Sequence, residues 1–218
     1  MKQSKYLIAI FAAAINFFYP SSMVFAQTKL KDIAGWEFHA SANLPFRGER
    51  TFFGTGMGVN MLIKDTGLVS FKTGLEVNYF HTWDKYLDAG NFTNQRNVHY
   101  QHALLSIPAI VRFNIGNDFK LLVELGGYLG ITLGGEMRSD YSFYDPLSNA
   151  KFNGIKHESY FPGLAFTPTL GIGGRFPLSE RIDLLLKPEC AFVMYEEIKE
   201  RYFYARLCAG IHLKPKRK

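Results

Sequence analysis

No long hydrophobic run exists past the first 26 residues. Every later apolar stretch is interrupted before the ~20 residues a membrane-spanning helix needs, which excludes a helical membrane protein. Metal-ligand spacings, phosphate-binding loops and cofactor motifs are missing too, so no metal, no cofactor and no catalytic residue is expected. Charge of one sign dominates only weakly. The formal net charge is +6, Lys2 and Lys5 supply two of those positives, and most of the remaining excess sits in the tail Lys214-Pro215-Lys216-Arg217-Lys218. A short basic terminus is not a basic face, so nucleic acid is not an expected partner. Cysteine is scarce, with two residues, Cys190 and Cys208, in 218.

The opening residues read as a targeting segment. Lys2 and Lys5 precede a nearly unbroken apolar stretch over 6–18, and Val24-Phe25-Ala26 stands before Gln27. A charged end, a short apolar core and a small residue at the cleavage point are the marks of a secretory signal peptide. The expected organisation is a cleaved signal over 1–26, one domain over 27–213 and a basic tail over 214–218.

What the chain has in quantity is alternation. From Phe119, every second residue is apolar or glycine: Leu121, Val123, Leu125, Gly127, Leu129, Ile131 and Leu133. Between them stand Lys120, Leu122, Glu124, Gly126, Tyr128, Gly130, Thr132 and Gly134. A strand sends successive side chains to opposite faces, so one face here is oily and the other small, polar or charged. About ten residues of tilted strand cross a bilayer, and this run is longer. The pattern recurs over 33–43, 51–63, 68–80, 98–115, 161–176, 181–195 and 202–213. Eight such segments, with 20 glycines and 16% aromatic residues, predict an all-β fold: an eight-stranded antiparallel up-and-down transmembrane barrel with lipid outside and polar groups inside. A lipocalin-like soluble barrel would place its apolar residues inside instead. Tight turns follow the even-numbered strands, and the long connections, 83–97 and 137–159, follow odd-numbered ones. That asymmetry is the outer-membrane pattern of short periplasmic turns and long external loops. Pro108 lies inside the fourth strand and cannot donate to a ladder, so a bulge or missing bond is expected there.

The inward face carries the charge. Five acids (Glu37, Glu76, Glu124, Asp183, Glu189) and six bases (Lys72, Arg112, Lys120, Arg175, Lys187, Arg206) share it with His39, His102 and His212. An eight-stranded barrel has room for side chains and little else, and buried charges require partners. A salt-bridged plug is the expectation. The alternative is a small passive pore, which Phe52, Phe80 and Tyr128 would obstruct. Glu37, His39 and Ser41 share a strand face, so a membrane hydrolase triad can be drawn, but inside the barrel, away from lipid. His99 and His102 fall on opposite faces and make a poor metal pair. Strand parity puts Cys190 outward and Cys208 inward, which predicts two free thiols rather than a disulfide. In the long connections, Trp83, Tyr86, Phe92, Tyr141, Phe143 and Tyr144 stand among polar residues. They suit contact with a protein or a glycan and equally suit an interfacial girdle against membrane lipid.

Three segments carry a family resemblance. Leu105-Ser106-Ile107-Pro108-Ala109-Ile110-Val111-Arg112-Phe113, Gly126-Gly127-Tyr128-Leu129-Gly130 and Gly171-Ile172-Gly173-Gly174 before a basic residue resemble the PorT-like outer-membrane β-barrel family of Bacteroidota-type bacteria. The resemblance covers most of the chain past the leader. It implies a small barrel in the bacterial outer membrane and implies no activity. The tail departs from a common outer-membrane pattern, because the last strand ends at Leu213 rather than on an aromatic residue.

Overall fold

The computed structural model describes residues 33–45, 51–63, 68–88, 93–117, 119–159, 163–195 and 201–215. Residues 1–32, among them the expected signal peptide, and residues 216–218 lie outside them. Chain contacts divide the molecule into Met1–Ile33, of which only Ile33 is described, and Ala34–Lys218, which holds the fold.

Nine strands form one antiparallel sheet: β1 (Ile33–Pro45), β2 (Thr51–Ile63), β3 (Val69–Asp88), β4 (Thr93–Ile115), β5 (Lys120–Asp145), β6 (Ala150–Ser159), β7 (Leu164–Pro177), β8 (Ile182–Tyr195) and β9 (Arg201–Leu213). The order runs β4-β3-β2-β1-β9-β8-β7-β5, and β5 pairs again with β4. That last pairing closes an eight-stranded barrel, as the alternation requires. Closure leaves the wall without an edge, so its backbone polar groups are satisfied by neighbouring strands.

The ninth strand, β6, is a correction. The segment 137–159, expected as an irregular loop, is the end of β5, a turn over 146–149 and β6, which pairs only with the upper part of β5. Likewise β3 runs on to Asp88 and β4 begins at Thr93, so most of 83–97 is strand. In these extensions polar and apolar residues are mixed on both sheet faces, so no apolar alternation marks a strand.

The barrel ends differ. At the turn end, β4 and β5 are separated by only four residues, and residues 178–181 reverse the chain tightly. Gly116 has φ +109°, and a Cβ there would lie 2.3 Å from the Phe119 carbonyl oxygen. Leu178 and Ser179 both donate backbone N–H to the Ile182 carbonyl. Lys214 is tied down as well: its N–H donates to the Arg181 carbonyl at 2.8 Å and its Nζ reaches Asp183 at 2.6 Å. The basic tail therefore leaves from a fixed point.

Irregularities follow the sequence. The β3–β4 pairing stops at Lys72/Ile110 and resumes in the same register at Glu76/Ser106, opposite Pro108, which has no N–H to give. Between Ala103 and Leu104 the β4–β5 register shifts by one residue beside Leu133. Above that bulge Met137 packs inward on Val98 and Tyr100, and Glu136 and Arg138 face out.

Burial confirms the two-sided strands. Met57, Phe71, Leu75, Leu125, Leu129, Leu170, Ile172 and Leu207 are exposed around the wall. An apolar belt of this extent exceeds what a water-soluble monomer presents and matches hydrocarbon. Ile63, expected on the lipid face, is instead buried at the end of β2. Cys190 is exposed and Cys208 buried, and both are free thiols. A membrane-permeant maleimide is therefore expected to label folded, bilayer-inserted protein at Cys190 alone, with Cys208 reacting only after unfolding. Equal labelling of both by mass spectrometry would contradict the strand parity.

Candidate functional site

The interior is built around Arg112. On β4 it points into the lumen, where its Nε donates to Glu124 Oε1 at 2.6 Å and its Nη2 to Glu37 Oε2 at 2.6 Å. Glu124 also accepts from Lys72 at 2.9 Å and from Lys187. Lys187 continues to Glu189 at 2.7 Å, Arg206 Nη1 lies 3.5 Å from Glu189, and Arg206 Nη2 donates to Glu76 at 2.6 Å. Four carboxylates and four cations, drawn from six strands, thus form one connected and neutral lattice.

Neutral groups complete it. Asn60 donates to Glu76 at 3.0 Å, the Tyr128 hydroxyl to Glu189 at 3.1 Å and the Cys208 thiol to Glu189 at 3.5 Å. The Arg206 guanidinium lies 5.2 Å from the Tyr128 ring centroid. Inward glycines make room for these chains. A Cβ at Gly58 would lie 2.6 Å from both Glu76 and His39, and one at Gly171 2.9 Å from Glu189. The interleaving of glycine with charge along the inner face is thus a packing requirement: the long side chains occupy the space that glycine leaves.

Of the eleven charges expected inside, eight belong to this lattice. Arg175 and Asp183 are buried near the turn end, 3.4 Å apart. Lys120 is the correction. It sits opposite Arg175 at the end of β5 and is half-exposed rather than sealed. Sequence reasoning missed the other closing layer, on the hairpin side of the lattice. Phe80, Leu104, Ala165, Ala191, Val193, Tyr195 and Tyr204 form an inward apolar cluster, with Phe80 edge-on to Tyr204 at 5.8 Å. The inward parity of Phe80, Val193 and Tyr204 was the available signal.

The drawn triad does not assemble. Arg112 holds Glu37, His39 faces Glu76 and Asn60, and the buried Ser41 hydroxyl finds no hydrogen-bond partner among the described residues. His102 is buried against Tyr195, whereas His99 faces outward, stacked on His81 and Trp83. Among the described residues no three His, Cys, Asp or Glu side chains are grouped to hold a metal.

The expected contact aromatics converge in part. Tyr141, Phe143 and Tyr144 line a groove of ≈ 580 Å³ on the β5–β6 hairpin, with Arg96, Ser142, Lys151 and Asn153. Phe143 stacks on Phe152 at 6.4 Å, and the Tyr141 ring lies over Gly154. Trp83 stands apart, 39% exposed at the rim of the wall. Tyr86 is in β3 opposite Arg96; its side chain lies outside the described residues, as does Phe92.

No protein-family model matches the chain, and no curated protein matches it. The PorT-like resemblance therefore rests on the sequence motifs alone. Solved barrels of similar form include Neisserial surface protein A (11% identity, 84% of this chain and 96% of that one, TM-score 0.41). Others are Ail, the attachment invasion locus protein of Yersinia pestis (11%, 84% and 97%, TM-score 0.38), and the N-terminal barrel domain of Pseudomonas aeruginosa OprF (14%, 83% and 98%, TM-score 0.35). The chain itself folds as a closed eight-stranded antiparallel β-barrel.

Removing one member of the lattice strands its partners in a dry interior. Glu124→Gln takes from Lys72 its carboxylate partner and leaves Lys187 with Glu189 alone and Arg112 with Glu37 alone, and a loss of roughly 3–5 kcal/mol is expected in urea unfolding from bilayers. Adding Lys72→Met should recover part of that loss; a Glu124→Gln variant as stable as wild type would contradict the lattice. At the hairpin tip, hydrogen bonds from the Ser148 hydroxyl (2.5 Å) and the Leu147 N–H (3.0 Å) hold the Asp145 carboxyl below its ordinary value of 3.8. A depressed carboxylate stabilises above its unfolded pKa and loses that contribution as pH falls through the folded value. The Leu147 amide resonance should accordingly titrate with a midpoint below 3.8; a midpoint at or above it would show the turn to be unformed.

Proposed function

We propose that this is a bacterial outer-membrane protein whose barrel is a closed anchor and whose protruding hairpins are an external contact surface for a protein or glycan. The carrying observation is the division of labour along one molecule. The lumen is sealed twice, by the neutral lattice and by the apolar cluster, while the aromatic groove and two cations, Arg96 and Lys151, stand outside it. A rigid scaffold presenting loops is the usual arrangement for recognition. The lipid of the outer membrane surrounds the apolar belt, and Trp83 at the rim fits the interfacial zone where aromatic rings settle.

A photo-crosslinking residue at Tyr144, introduced into protein in native outer membranes, is expected to yield a discrete protein or glycan adduct. The same residue at Leu125, on the apolar belt, should yield lipid. Lipid alone at both positions, or no adduct at Tyr144, would overturn the reading. Purified protein in planar bilayers should show no discrete conductance steps; repeatable steps would restore the pore alternative.

A further inference from the structure

β6 ends the sheet order and has a single neighbour. All ten of its residues pair with β5, from Asp145/Ala150 to Glu136/Ser159, without a register shift. Among the described residues no strand pairs with its other side, so a row of backbone N–H and C=O groups is offered sideways. Protected edges are short, bulged, or carry proline or charged side chains, lysine above all; of these β6 has only the last, in Lys151 and Lys156. β6 is about twice the usual strand length, regular, and free of proline. Both of its faces are open: Phe152 is 52% exposed beside Phe143, and Ile155 is 57% exposed on the opposite face.

The charges on the edge are directional. Lys156 is matched by Glu158 at 2.6 Å. Lys151 and Arg96 make no ion pair with a described residue; both line the groove with Asp140, which accepts from Asn97 at 2.7 Å, and the three leave the groove with one positive charge in excess.

We infer that β6 is a docking edge for an extended, acidic segment of a partner protein. The inference rests on the reading of the hairpins as the contact surface and names the partner's chemistry. The segment adds as a further strand, its backbone pairing with β6 and an acidic side chain reaching Lys151 and Arg96 in the groove. A saccharide would stack on Tyr141 and Tyr144 but leave the edge amides in water. The unpaired backbone row is what selects a polypeptide.

The test uses the full protein in lipid nanodiscs and a displayed library of ten-residue peptides. Selection should enrich sequences alternating apolar and acidic residues. Binding should slow hydrogen exchange at β6 amides, and N-methylating alternate peptide amides should weaken it about tenfold or more, as loss of one or two backbone hydrogen bonds predicts. Lys151→Glu should weaken binding with insertion into nanodiscs unchanged. Absence of enrichment, tolerance of N-methylation, or unchanged β6 exchange would overturn the inference. So would β6 pairing between two copies of this chain. Exclusive binding of an acidic oligosaccharide at Tyr144 would overturn it too, while leaving the contact-surface reading intact; failure of insertion would instead remove the membrane reading itself.

Discussion

Arg112 holds two carboxylates at once, and the barrel interior is arranged around what that demands. Eight closed strands enclose a space too narrow for anything but side chains. Placing a charge there removes its water, at a cost that only opposite charge and hydrogen bonds can offset. The eight central ionic groups meet that condition by forming one neutral lattice rather than separate pairs. Six strands, β1, β3, β4, β5, β8 and β9, are tied together, so the lattice also fixes how these strands stand relative to one another.

The apolar belt and the ionic core are two consequences of one pattern. Because the strand period is two, every oily residue that faces hydrocarbon commits its neighbours to the lumen. Glycine, asparagine and charge fill that inner face, and glycine sets the clearance for the arginine and lysine chains. The ionic lattice and the apolar cluster fill the interior among the described residues. The contact surface proposed for the protein is what stands outside the wall: the rim aromatics, the hairpin groove and the free side of β6.

The barrel was legible because bilayer and lumen impose opposite chemistries on alternate residues. Eight segments, the inward charges and the outward Cys190 follow from parity alone. The hairpin extensions were not legible for the same reason. In Thr93–Asn97 and Arg138–Asp145 the buried positions Gln95 and Ser139 are polar too, so the segments show no apolar contrast and resemble loops. Their strand character comes from pairing with neighbours, as does the bulge at Leu133, which a one-residue slip in an otherwise regular alternation conceals. Lys120 misled because parity gives the side of the wall and not the depth: at the end of β5 an inward residue reaches solvent. The groove residues Tyr141, Phe143 and Tyr144 were visible as aromatics in a polar stretch, but the cations beside them, Arg96 and Lys151, are distant in sequence and meet only through the fold.

Electron paramagnetic resonance along β5 tests the central claim most directly. Single nitroxides at Leu121, Val123, Leu125, Leu129 and Ile131, and at Leu122, Tyr128 and Thr132, would be placed in cysteine-free protein in bilayers and their collisions with oxygen and with a water-soluble nickel chelate compared. The account predicts high oxygen access at the first five sites and little access of either reagent at the other three. Nickel access at the inward sites, or oxygen-shielded outward sites, would contradict a sealed ionic core wrapped in hydrocarbon.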